Sequence, residues 1–134
     1  MFGSLDVSAS ALVAQRTRLE TISANIAGAQ AIEDAGGSYA PFQKRIAVFA
    51  QGDPETGSAD GVHVREIIQQ PAFTQKYEPG SPFADPDTGM VNYPDISPEV
   101  EIINAMAAFR AYEANVTAAE ATKAMMQASL RLLA

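Results

Sequence analysis

The chain has 134 residues, with 9 Lys+Arg against 16 Asp+Glu and a formal charge of −7. That balance argues against nucleic acid or an anionic lipid surface as partner, because such affinity comes mainly from neutralised phosphates. Hydrophobic residues make up 47% and charged residues 19%, which is not the composition of a disordered polymer, yet 25 alanines and no tryptophan leave only a thin core for a lone monomer.

Glycine and proline divide the chain in three. Of the 9 glycines and 8 prolines, 14 fall between positions 32 and 96. The reading is therefore a mainly α chain with a small β part: a helical segment over 1–31, a β-containing and extended region over 32–96, and a helical segment over 97–134. In the first segment Leu5, Leu12, Leu19 and Ile26 recur every seven residues, with Ile22 and Ala29 three further on from the last two and Ala9 and Val13 beside them. This is a coiled-coil stripe whose second row is imperfect, since Ser8 and Gln15 occupy it. Asp6 and Ser8 offer N-cap chemistry, and the helix fades near Gly28–Ala31.

In the middle, residues 42–50 and 62–69 alternate in side-chain type and are rich in Ile, Val and Phe. The turn-forming residues between them predict a hairpin-like pair with a long loop. A third short strand is expected around Phe73–Tyr77, and the proline-rich stretch from Pro79 to Pro94 is expected to be extended and irregular.

The last segment opens on Ser97 as a cap, Pro98 at the first helical position and Glu99 and Glu101 at the positive end of the helix dipole. Beyond it Ile102, Met106, Phe109, Tyr112, Val116, Ala119, Met126, Leu130 and Leu133 follow steps of three, four and seven, which predicts one helix of about 36 residues. Two long amphipathic helices can pair, but one pair leaves apolar faces towards water. That points to assembly with further copies or related subunits.

Candidates for chemistry are few. The chain has no cysteine, so disulfides, thiolate chemistry and Cys-based zinc sites are excluded. His63, the only histidine, is read as a strand residue, because nothing around it suggests a nucleophile elbow. The run from Asp85 to Gly89 has the opening of a calcium loop, but Gly89 replaces an oxygen ligand and Ile96 stands where glutamate is needed. No catalytic, cofactor or metal site is expected. No apolar run reaches the roughly 20 residues that span a bilayer, and MFGSLDVSASALVAQ lacks the pattern of a cleavable secretory signal. Arg16, Arg18 and Glu20, and later Arg110, Glu113 and Glu120, are candidates for inter-helix ion pairs.

DVSASALVAQRTRLETISANIAGAQ near the start and FRAYEANVTAAEATKAMM near the end are similar to the paired terminal signatures of axial flagellar proteins. With the short middle, carrying Gly61-Val62-His63-Val64, Tyr77-Glu78-Pro79-Gly80 and Gly89-Met90-Val91-Asn92-Tyr93-Pro94, the chain resembles the rod proteins of the bacterial flagellar basal body, of the proximal-rod type. It departs from the usual pattern at Gly28-Ala29-Gln30-Ala31 and at Gly80-Ser81.

The resemblance implies a structural subunit of the drive shaft that crosses the periplasm, exported unfolded by the flagellar type III apparatus. Its partners are then copies of itself and other rod proteins, with no nucleic acid and no membrane insertion. The assembly interface expected on these grounds comprises Leu5, Leu12, Leu19, Ile22, Asn25 and Ile26 of the first helix. The second helix adds Ile102, Met106, Phe109, Tyr112, Asn115, Val116, Met126 and Leu130. Asn25 and Asn115 are expected to make inter-subunit or helix-terminus hydrogen bonds, and Tyr112 to anchor helix packing. The alternatives are a free-standing coiled-coil adaptor forming a small homo-oligomer, or a hydrolase built on His63.

Overall fold

The computed structural model describes residues 2–133; Met1 and Ala134, the outermost residues of the two expected helical segments, lie outside them. The element order is α1 (Phe2–Gly28), β1 (Lys44–Gln51), β2 (Val62–Gln70), β3 (Phe73–Tyr77), β4 (Met90–Pro94) and α2 (Pro98–Leu133). At 1.5 Å per residue, the 27 residues of α1 and 36 of α2 make rods of about 40 and 54 Å.

Local sequence sets the end of α1 and the start of α2, whereas Asp6 and Ser8 cap nothing, because α1 already runs from Phe2. Gly28 closes α1 because the chain turns back there: a Cβ at this position would lie 2.5 Å from the Phe42 ring, and Phe42 N–H donates to the Ala31 carbonyl at 2.9 Å. At the start of α2, Ser97 Oγ accepts from Val100 N–H at 3.4 Å and donates to Glu99 at 2.8 Å. Proline at the first helical position loses only a donor that has no partner in the helix.

β1 and β2 form an antiparallel pair in which Lys44 faces Gln70 and Gln51 faces Val62. The register shifts between Val48, opposite Glu66, and Phe49, opposite Val64, so Arg65 is the extra residue of a bulge. The loop at the end of this hairpin is held by Gly52 N–H donating to the Gly61 carbonyl, with positive φ at both glycines. The expected irregularity of the 79–94 stretch is corrected at its end: Met90–Pro94 is β4, paired antiparallel with β3 from Phe73↔Pro94 to Tyr77↔Met90. Five residues are too short for alternation to register. Pro94, the last residue, is tolerated because a two-stranded sheet gives every strand an edge.

The helices run antiparallel, since Asn25 near the end of α1 bonds Glu101 near the start of α2. α1 is covered twice, by α2 and by the β1–β2 hairpin. Its buried residues Ser8, Ala14, Thr21, Ile22, Asn25 and Gly28 sweep an arc of about 160° at 100° per residue. Leu5, Leu12 and Leu19 flank that arc and are half-buried, and Ile26 is exposed. The heptad stripe is thus the border of the packed face, not its centre. Small side chains occupy the centre because they let two neighbours approach one helix at once.

α2 shows the same division. Its covered face follows alternating steps of four and three through Glu101, Ala105, Ala108, Tyr112, Asn115, Ala119, Thr122, Met126 and Ser129, all buried or half-buried. Ile102, Met106 and Phe109 form a parallel row one residue, or about 100°, around the helix, and they are exposed together with Ile103. The single apolar stripe expected from the sequence is therefore two rows, and the pair buries the one built from small residues.

Candidate assembly surfaces

Three elements meet at one polar junction. Asn25, 1% exposed, treats β1 as a neighbouring strand would: its Oδ1 accepts from Arg45 N–H and its Nδ2 donates to the Arg45 carbonyl, both at 2.8 Å. The same Nδ2 donates to Glu101 Oε2 at 3.0 Å. Glu101, 2% exposed, also takes Lys44 Nζ at 3.0 Å and Asn104 Nδ2 at 3.4 Å. One amide thus ties α1 to β1 and α2, and one carboxylate ties α2 to β1.

Burial works to raise the Glu101 carboxyl, but hydrogen bonds from Asn25 and Lys44, the Lys44 charge and Asn104 outweigh it and hold it below the ordinary glutamate value. A carboxylate depressed on folding adds stability above its unfolded pKa, and that stability is lost as pH falls through the folded value. The chain is therefore expected to weaken on acidification from neutral into the glutamate range. Glu101→Gln should be less stable at pH 7 and lose less on acidification. Urea unfolding at several pH values checks this, and equal pH slopes for both proteins would refute it.

A second side chain closes a strand edge in the same way. The Tyr39 hydroxyl accepts from Asn92 N–H at 3.1 Å and donates to the Asn92 carbonyl at 3.2 Å, while its ring stacks on Phe83 with centroids 5.3 Å apart. The hairpin loop is fastened to α1 by Ser10, whose Oγ accepts from Val62 N–H at 3.1 Å. His63 is half-buried and donates from Nδ1 to the Gly52 carbonyl at 2.7 Å, which holds the loop base. Asp85 accepts from Asp87 N–H in a local turn. Among the described residues no group of three or more His, Cys, Asp or Glu is placed to hold a metal ion, and no helix is long and apolar enough to cross a membrane.

The residues expected at an assembly interface fall into three groups. Ile22 and Asn25 are buried within the chain; of the two alternatives for Asn25, the hydrogen bonds observed lie at a helix terminus, in the last turn of α1, and join elements of one subunit. Leu5, Leu12, Leu19, Tyr112, Asn115, Val116 and Met126 are half-buried. Asn115 lies in the helix interior and donates to the Ala111 carbonyl at 2.8 Å, so its bond is neither terminal nor between subunits. Ile26, Ile102, Met106, Phe109 and Leu130 are uncovered. Arg16 pairs with Glu20 one turn on in the same helix rather than across helices.

The junction partners Glu101 and Lys44 escaped the sequence reading, in which Glu101 only complemented the helix dipole. The available signal was its spacing: Glu101 stands seven residues before Ala108 on the row of small residues, where a charge requires a buried partner.

Two long helices covered on one face, with large apolar residues left on the other, define a subunit class made for side-by-side assembly. Residues 5–29 match the family described as Flagella basal body rod protein, and residues 87–132 match Flagellar basal body rod FlgEFG protein C-terminal. The protein named Flagellar basal-body rod protein FlgC from Aquifex aeolicus is 38% identical over 95% of this chain and 92% of its own length. Those of the same name from Salmonella typhimurium and Bacillus subtilis are 36% and 33% identical, over 95% and 98% of this chain and 93% and 97% of their own lengths. The chain belongs to the FlgC family of flagellar basal-body rod proteins, a structural and not an enzymatic family.

Proposed function

We propose that this chain is a structural subunit of the proximal rod, the drive shaft of the bacterial flagellum, and that it transmits torque for flagellum-dependent motility. The observation that carries the reading is the division of the helix faces: small residues close the internal seam, and Ile102, Ile103, Met106 and Phe109 remain uncovered. A contiguous exposed apolar row of this kind marks an interaction surface. Its partners are copies of itself and other rod proteins, and its place is the rod within the periplasm, reached through the flagellar type III export apparatus. Segments 1–31 and 97–134 then serve as the arms of the rod core, and 32–96 as an insert outside it.

Deletion of the gene in its own bacterium is expected to abolish motility, and a tagged chain supplied in trans to restore it and to appear in purified basal bodies. A motile deletion strain, or basal bodies without the tagged chain, would overturn the reading. Recovery of the chain only as a small, discrete soluble oligomer would support the adaptor instead.

A further inference from the structure

Two unpartnered features lie near the same end of the molecule. The first is a groove of about 980 Å³ between the amino-terminal half of α1 and the β1–β2 hairpin. Val7, Val13, Ala14, Val62, Val64 and Ile67 give it apolar walls, and Asp6, Asp53, Glu55, Asp60 and Glu66 make it acidic. Among the described residues no lysine or arginine lines it, and of its carboxylates Glu66 is already paired with Arg65 at 2.7 Å. Asp53 is held in its charged form, since hydrogen bonds from Glu55 N–H and the Thr56 hydroxyl lower its pKa.

The second feature is the end of α2. With Glu101 level with Asn25, the described start of α1 lies level with residue 124 or so, and the rest of α2 projects about 14 Å further. Leu130 and Leu133 continue the covered face of α2 past the point where its cover stops, and both are exposed. From Ala121 to Leu133 the helix carries Lys123 and Arg131 and no carboxylate.

We propose that the acidic groove receives the projecting end of α2 from a second copy of the chain. Leucines unpartnered at home meet apolar walls, and Lys123 and Arg131 meet the carboxylates. A subunit cannot fill its own groove in this way: α2 has no glycine or proline after Pro98 to bend it back. In a parallel arrangement the receiving copy is displaced along the axis by roughly 25 Å, the offset between helix end and groove centre. Groove and helix end are different surfaces, so the contact is heterologous and repeats from copy to copy. This rests on the rod reading and adds to it which surfaces meet.

The chain has no cysteine, so paired replacements report without background. Val13→Cys and Leu130→Cys, carried together on a chain that replaces the native one, are expected to give a ladder of disulfide-linked oligomers in oxidised basal bodies. Each alone is expected to give none, and Lys123→Glu with Arg131→Glu should cut the yield at least tenfold. Asp6→Lys with Asp60→Lys should restore it. Basal bodies that contain the doubly substituted chain without a ladder, or that link Val13→Cys chains to one another, would overturn the groove contact and leave the rod reading intact. Basal bodies without the chain would overturn both.

Discussion

Asn25→Ala is expected to release β1 from α1 and to open the junction, at a cost of about 3 kcal/mol. The substitution strips partners from Arg45 N–H, the Arg45 carbonyl and Glu101 together. Each buried polar group left without a partner costs about 1–3 kcal/mol, and water entering the junction recovers part of the sum. The direct readout is amide exchange at Arg45, whose N–H points away from β2 to the Asn25 side chain. Three kcal/mol corresponds to roughly a hundredfold faster exchange. Asn25→Asp is a useful companion, because it keeps the acceptor for Arg45 N–H while facing the Arg45 carbonyl and Glu101 with like polarity. Exchange at Arg45 unchanged in Asn25→Ala would show that the amide does not hold the strand.

The second large effect concerns assembly without folding. Ile103→Asp with Phe109→Asp is expected to leave the isolated chain as stable as before, within about 0.5 kcal/mol per site, because both side chains already face water. In cells the same chain should be absent from basal bodies and the strain immotile, since a carboxylate buried against a neighbouring helix is costly. Leu19→Asp and Val116→Asp should also block assembly, but both positions are half-buried at the seam, so they destabilise the subunit as well. Circular dichroism separates the two cases. Wild-type motility with both exposed aspartates would mean that this row is not an interface.

The helices and the first three strands were legible because their signals are local: the glycine and proline partition, the cap at Ser97, and two short β-rich runs around a turn-rich loop. β4 was not, since five residues ending in proline carry little pattern. The centre of the helix seam was misplaced for a different reason. Hydrophobic periodicity marks the largest apolar residues, whereas the seam selects the smallest, and Ala108 or Thr122 announces itself less than Phe109 or Leu130. The junction was legible only in part. Asn25 stands out as a polar residue in an apolar stripe, but its partners depend on how far β1 folds back, which no spacing reveals.

The link between Asn25 and Glu101 joins residues 76 positions apart. Closing a segment of that length costs about 4 kcal/mol in chain entropy. The sheets between them can form from neighbours in sequence, but α1 has no helix to lie against until most of the polypeptide has followed it. Maturation is therefore strictly late: a nascent chain halted before residue 101 carries an amino-terminal helix without its mate, and only the last quarter of the sequence converts it from loose thread to finished part.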